Sequence, residues 1–319
     1  MSTAKLSSYD EPVRRLPSAV LLSIVCVLAL GGCVTSSRDR QVASDYYDLG
    51  NAYVDLGQYD KAIAEFQAAL TLDPAFVKAD YNLALAYVHA KRTDDAIAIL
   101  KRLQAADPQN TQLMSAMGWA LHLAGKDEEA LAQYQAVIAL SPADLNALYN
   151  SGIILWKLKR LHDAMDQFTA LLSKAPDDLD TLFAAGSLLL AMDDPAGSGG
   201  MLSRYLAKKS SDMDAWYLVA QGAERQKKYA RAMEAYDKIV AIDPAQADAW
   251  FGETRLLLTV VEDPERGLDT LGKALAAGYK DQKALKALLD APGLLEHDKV
   301  EAALKDKGLL PAADATPGK

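Results

Sequence analysis

The sequence predicts an all-α solenoid, a row of helix–turn–helix repeats closed by C-terminal capping helices. Three observations predict it. Marked residues recur with a period of 34 along most of the 319-residue chain. Apolar residues within each period fall at three- and four-residue steps, which places each set on one face of a helix. A proline closes most periods, at Pro74, Pro108, Pro142, Pro176 and Pro244. A fixed period of this length is the mark of a stacked array.

In the first period, residues 43–76, the marked positions are Tyr46, Leu49, Gly50, Tyr53, Ala62, Phe66, Ala69 and Pro74. Tyr46, Leu49 and Tyr53 share one helix face, and Ile63, Phe66 and Leu70 share another. Gly50 and Ala62 fall where the paired helices come closest, because only residues without bulk let two axes approach at the short end of the packing range. The first recurs as Ala84, Gly118, Gly152, Gly186 and Ala220, the second as Ala96, Ala130, Ala164, Ser198 and Ala232. Gly57 is predicted to end the first helix in the left-handed region. Asp73-Pro74 ends the second, since proline lacks a donor and disfavours helix in the residue before it.

These offsets together resemble the tetratricopeptide repeat, over residues 43 to about 280. The resemblance implies a right-handed superhelical solenoid with a concave groove lined by the first helices. One hairpin cannot bury both faces, so stability is expected from stacked neighbours. The frame divides the chain into repeats 43–76, 77–110, 111–144, 145–178, 179–212, 213–246 and 247–280, about seven in all. The fifth and seventh depart from the pattern. In the fifth, Asp194-Pro195 makes a sound helix start, but Gly197, Gly199 and Gly200 follow within four positions, each costing about 1 kcal/mol relative to Ala. They fit either close helix packing or a hinge. The seventh has Thr254 in the small position, and a one-residue shift puts Gly267 where Ala is usual. Residues 281–307 are expected to form two short capping helices covering the last apolar face, and 308–319 a disordered tail.

At the N-terminus, residues 16–30 are predominantly apolar, preceded by Arg14-Arg15 and followed by Gly31-Gly32-Cys33. This is the order of a secretory leader. Its apolar part is shorter than the ~20 residues of a spanning helix. Leu30-Gly31-Gly32-Cys33 resembles the bacterial lipobox, which implies that residues 1–32 are a lipoprotein signal peptide and that Cys33 carries the lipid. Residues 33–42 are then expected to form a polar tether. Val34 stands where an Asp would, in enteric bacteria, retain the protein on the inner membrane, so the resemblance favours the periplasmic side of the outer membrane.

The formal charge of −9 and the pI near 5.0 argue against nucleic acid as a partner, which would call for a basic stripe. With Cys33 acylated, no free thiol is left as a nucleophile, and Cys26 leaves with the leader. The four histidines, His89, His122, His162 and His297, never have the four-residue spacing that pairs metal ligands on a helix. Nucleotide, zinc-peptidase and serine-hydrolase motifs are missing. The expected protein is not an enzyme and holds no cofactor or metal.

The resemblance places the binding groove at positions 2, 5, 9, 12 and 13 of each repeat. Position 5 carries Tyr47, Tyr81, Ser115, Tyr149, Phe183, Tyr217 and Phe251, a largely aromatic ladder that fits either binding or packing against the neighbouring helix. Positions 9, 12 and 13, polar in most of the family, here include Leu85, Val88, Trp119, His122, Ile153, Trp156 and Leu190. The expected site is therefore an apolar, aromatic groove lined by Tyr81, Leu85, Val88, Trp119, His122, Tyr149, Ile153, Trp156, Phe183 and Leu190. It grows charged toward Asp214, Glu224, Arg225, Asp248 and Arg255. Apolar residues at such positions either mark an interaction site or are buried under capping helices or the polar tether folded over them. A protein or peptide partner in the cell envelope is expected, in assembly or secretion, with attachment to the membrane through the lipid. The alternative is an accessory subunit of a solute-uptake system that holds a small apolar ligand.

Overall fold

The computed structural model describes residues 36–310; the leader, Cys33 and residues 311–319 lie outside the described residues. Sixteen α-helices occur among the described residues, packed in sequential pairs. Contacts divide the chain into two compact units, Met1–Ala106 and Asp107–Lys319.

The described part of the first unit holds two hairpins: α1 (Ser37–Asp55) with α2 (Tyr59–Leu72), then α3 (Val77–His89) with α4 (Thr93–Ala106). α2 also packs on α3, which continues the stack. α1 starts earlier than expected. Ser36 and Asp39 form a reciprocal capping box, so residues 37–42, predicted as tether, are helical: the Ser–Asp pair satisfies the free N–H groups that would otherwise open the first turn.

The second unit holds α5 (Thr111–Leu123) with α6 (Asp127–Leu140), α7 (Leu145–Lys157) with α8 (Leu161–Lys174), and α9 (Leu179–Ala191) with α10 (Pro195–Leu206). They are followed by α11 (Met213–Arg225) with α12 (Tyr229–Ile242), α13 (Ala247–Leu256) with α14 (Pro264–Ala276), then α15 (Gln282–Leu289) and α16 (His297–Asp306). Asn110, Asp144, Asp178 and Asp212, the last residue of each preceding period, cap the first helices by accepting from backbone N–H groups.

The predicted close approach of paired helices is observed. Ala62, Ala96, Ala130, Ala164 and Ala232 are fully buried and Ser198 nearly so. Above the glycines of the first helices, a large side chain sixteen positions on fills the space. A Cβ added to Gly50 would lie 2.5 Å from Phe66, one on Gly118 2.9 Å from Tyr134, and one on Gly186 2.8 Å from Leu202. In the seventh repeat the pair is Thr254 and Thr270, whose hydroxyls meet at 3.0 Å. Both are buried, with the main-chain carbonyls of Trp250 and Gly267 as further acceptors.

First helices end in the left-handed region as Gly57 predicts, with φ of 68° there and 75° at Gly125. Lys91, Lys159, Asp193 and Lys227 take the same conformation at the same place, φ 56–64°, which costs an L-residue about 1–2 kcal/mol. The fifth repeat is not broken: α10 runs without interruption through its three glycines, started by Asp194, which accepts from Gly197 N at 2.9 Å. A Cβ on Gly199 or Gly200 would meet nothing within 4 Å, so neither serves close packing.

The seventh repeat absorbs its extra residue in a π-helical turn. α13 runs into π geometry at Leu257–Val261, and Glu262, with φ 62°, leads into the cap Asp263 and Pro264. A wider turn carries one residue more than an α-turn does, which accounts for the shift to Gly267. The capping helices then close the unit: Leu285, Leu288, Val300 and Leu304 join Phe251, Leu258, Leu271 and Tyr279 in one buried cluster. Leu295 N donates to Leu258 O at 3.0 Å, tying the cap to the π turn.

Candidate functional site

The position-5 aromatics pack inward. Tyr47 lies against Phe66 and Phe76, with ring centroids 5.9 and 5.0 Å away, Tyr149 against Phe168 at 6.1 Å, and Phe183 against Tyr205 at 5.3 Å. Tyr217 meets Tyr236 edge-on at 6.4 Å, and Phe251 stacks on Tyr279 at 4.1 Å. These contacts show the rings packing against neighbouring elements of the stack, while Phe183 and Tyr217 also line the cleft described below. Burial pushes the hydroxyls of Tyr81 and Tyr149 above the usual tyrosine value, with Asp180 and Asp178 adding to it at Tyr149.

In the first unit, Tyr81 and Leu85 are half-buried on α3, while Val88 is 1% exposed. Val88 is therefore a core residue, contrary to its expected place in a groove. Position 12 is enclosed in this repeat, whereas its counterparts His122 and Trp156 stay half-buried. Leu190, the same position in α9, is corrected likewise: at 2% exposed it is enclosed, with Gly222 of α11 beside it. Arg225 closes the contact by donating to Leu190 O at 2.6 Å. Asn51 and Tyr47 are held by Asn82, whose Nδ2 donates to them at 2.7 and 3.2 Å.

In the second unit, Trp119, His122, Tyr149, Ile153, Trp156 and Phe183 are all half-buried, so part of each remains open on the first helices. His122 is not an isolated groove residue. Its Nδ1 lies 2.6 Å from Asp127 Oδ1, and Lys157 Nζ lies 2.8 Å from Asp127 Oδ2. Asp127, first residue of α6, thus ties α5 to α7. Burial raises the Asp127 carboxyl, but the hydrogen bonds from Lys157 and His122 outweigh it and hold the group below its ordinary value.

A cleft of about 680 Å³ opens farther along this unit, between α9, α11 and α13. Phe183 and Ser187 line one side, Asp214, Tyr217 and Gln221 the middle, and Arg255 the other side. These are positions 2, 5 and 9 of three successive repeats, the ones the resemblance assigns to the groove. Tyr236 forms the back of the cleft and donates to Glu224 Oε1 at 2.8 Å, while Arg255 bonds the other carboxylate oxygen. Burial, then Asp248 and Asp214, pushes the Tyr217 hydroxyl up to about 12. The charged end of the groove was legible as Asp214, Glu224 and Arg255. Ser187 and Gln221 were missed because neither departs from ordinary family usage, and Tyr236 because it belongs to a second helix. The arrangement offers fixed donors and acceptors beside aromatic surface, which suits a peptide backbone with mixed side chains.

The comparisons agree with this architecture. Family models described as tetratricopeptide repeat match residues 47–111 and 183–247 and, separately, 146–178, and one described as TPR repeat matches 118–159. No curated protein matches the chain. Among solved structures, the C-terminal part of a TPR repeat-containing protein from Cytophaga hutchinsonii aligns with TM-score 0.65 at 16% identity, over 76% of this chain and 99% of that one. PilW, described as a widely conserved type IV pilus biogenesis factor, aligns with TM-score 0.56 at 20% identity, over 63% and 93%. YrrB, described as a TPR protein with an unusual peptide-binding site, gives 0.54 at 20% identity, over 59% and 96%. At these identities the likeness is one of fold.

Proposed function

We propose, since this chain belongs to the tetratricopeptide repeat proteins, that it is a lipid-anchored scaffold holding another cell-envelope protein on the first helices of its second unit. Members of such a family act through protein or peptide partners and are generally not enzymes. The observation that carries the reading is the cleft between α9, α11 and α13, where positions 2, 5 and 9 of three repeats converge. The half-buried Trp119 and Trp156 extend the aromatic surface on the same set of helices. The anchor rests on Leu30-Gly31-Gly32-Cys33, and Val34 favours the periplasmic side of the outer membrane. A role in envelope assembly or secretion is consistent with the fold shared with PilW, the pilus biogenesis factor.

The test is affinity capture from solubilised envelopes with the wild type beside Asp214→Lys/Gln221→Lys. Both side chains are exposed and line the cleft, so their exchange leaves the fold intact. A stoichiometric protein retained by the wild type and lost by the variant supports the scaffold. Retention of the same protein by both overturns the cleft as its seat, and a co-purifying small apolar molecule with no protein would favour the solute-uptake alternative. Labelling with a palmitate analogue tests the anchor: Cys33→Ser should abolish it.

A further inference from the structure

α1 carries an apolar stripe that the described elements leave largely uncovered, only Tyr53 being half-buried. Val42, Tyr46, Leu49 and Tyr53 follow one another at four- and three-residue steps and so share one side of the helix, and the C-cap Leu56 continues the series. Val42 is 36% exposed, Tyr46 37%, Leu49 43% and Leu56 67%. One period on, the counterparts of Leu49 and Tyr53 are Leu83 and Tyr87, 5% and 6% exposed. α3 has α2 packed before it. α1 has no helix before it among the described residues, and its stripe is the face that such a helix would cover.

We infer that this stripe lies on the lipid surface to which Cys33 is anchored, an inference that rests on the anchored reading above. Helix α1 begins at Ser37, four residues after Cys33, and four extended residues reach at most about 14 Å. An acylated Cys33 therefore holds the start of α1 next to the bilayer. From Val42 to Leu56 the stripe runs about 21 Å along the helix at 1.5 Å per residue, long enough to lie flat on the interface. Two of its members are tyrosines, whose rings enter the interface while their hydroxyls reach water. Arg38 stands on the same side at the anchor end, and Lys61 sits 5.3 Å from the Tyr53 ring centroid. Asp39 and Asp45 border the stripe, already bonded to Ser36 and Gln41, while Asp48 and Asp55 fall away from it. With a chain charge of −9, electrostatics do not bring this face to an anionic membrane. The anchor supplies the proximity, and the apolar contact fixes how the helix rests.

The exported, acylated full-length protein is reconstituted into phosphatidylcholine–phosphatidylglycerol vesicles, with an environment-sensitive fluorophore on a single introduced cysteine. With Cys33 acylated and Cys26 removed, that cysteine is the one free thiol. Leu49→Cys and, as a second position, Tyr46→Cys should show blue-shifted emission quenched by brominated lipid, and Asp48→Cys neither. Equal emission at all three positions in protein that still floats with the vesicles would overturn the inference and leave the anchor standing. A blue shift insensitive to brominated lipid and growing with protein concentration would overturn it in favour of a second copy covering the stripe. Protein that neither incorporates acyl label nor floats would instead remove the anchored reading itself.

Discussion

A Cβ on Gly152 would stand 2.5 Å from Cε1 of Phe168. The first and second helices of this repeat thus meet through bare backbone on one side and a fully buried ring on the other. The same relationship joins Gly50 to Phe66 and Gly118 to Tyr134, so it belongs to the repeat and not to one site.

Gly152→Ala should therefore destabilise the protein despite the better helix propensity of Ala, because the ring has no room to retreat and overpacking costs about 1–3 kcal/mol. Gly200→Ala is the control. It lies inside α10 with open space around it, so the gain in propensity of about 0.4–1 kcal/mol is unopposed. Thermal melts should move in opposite directions for the two.

Asp80 is 5% exposed and held by Arg102, which reaches both carboxylate oxygens at 2.8 Å. Arg102→Ala should cost about 1–3 kcal/mol, the penalty of leaving a buried polar group unsatisfied. Adding Asp80→Leu should recover that loss, because it removes the buried carboxylate left without a partner. Met114, Leu148 and Leu182 occupy the same position in later repeats and are buried there. Urea midpoints of the single and double variants give the comparison.

Glu253 occupies a position filled by Leu83, Met117 and Val219 in other repeats and is 1% exposed. Burial, with the nearby Asp237 carboxylate, pushes its pKa from 4.5 up to about 8, against the opposing pull of Arg266, whose guanidinium lies 3.9 Å away. The folded state thus holds a proton that the unfolded state releases, so this group lowers stability as pH rises from about 4.5 to about 8 and has no further effect above. Glu253→Gln should show a larger gain over the wild type at pH 8 than at pH 5 in urea unfolding. A gain independent of pH would contradict a raised pKa.

Hairpin pairing and the close approach at Gly118 and Gly152 were legible in the sequence, because a fixed period constrains several offsets at once. Even the shift at Gly267 could be read, though not the π turn that absorbs it, since an inserted residue does not reveal where the backbone widens. The site was harder. Val88 and Leu190 looked like groove residues because a position-12 side chain is polar in most of the family. Their burial depends on what packs beside the helix, which a single repeat's pattern does not contain. The His122–Asp127–Lys157 network escaped for a similar reason: it joins three helices through residues individually ordinary.

Trp119 and Trp156 give the most direct test of the binding face. Each sits on a first helix and is half-buried, unlike Leu155 and Phe168, which are 1% and 0% exposed. Each is therefore partly buried and partly open, and aromatic residues of this kind are enriched among interface anchors. For a partner on this face, Trp119→Ala/Trp156→Ala should weaken binding by about 2 kcal/mol, roughly thirtyfold. The loss of folding stability should remain well below the several kcal/mol expected for two core aromatics. The melt needs no partner and can be run first. A collapse of stability in the double variant would show that both rings belong to the core and would move the binding face to the cleft around Tyr217, where Asp214→Lys/Gln221→Lys then becomes the deciding variant.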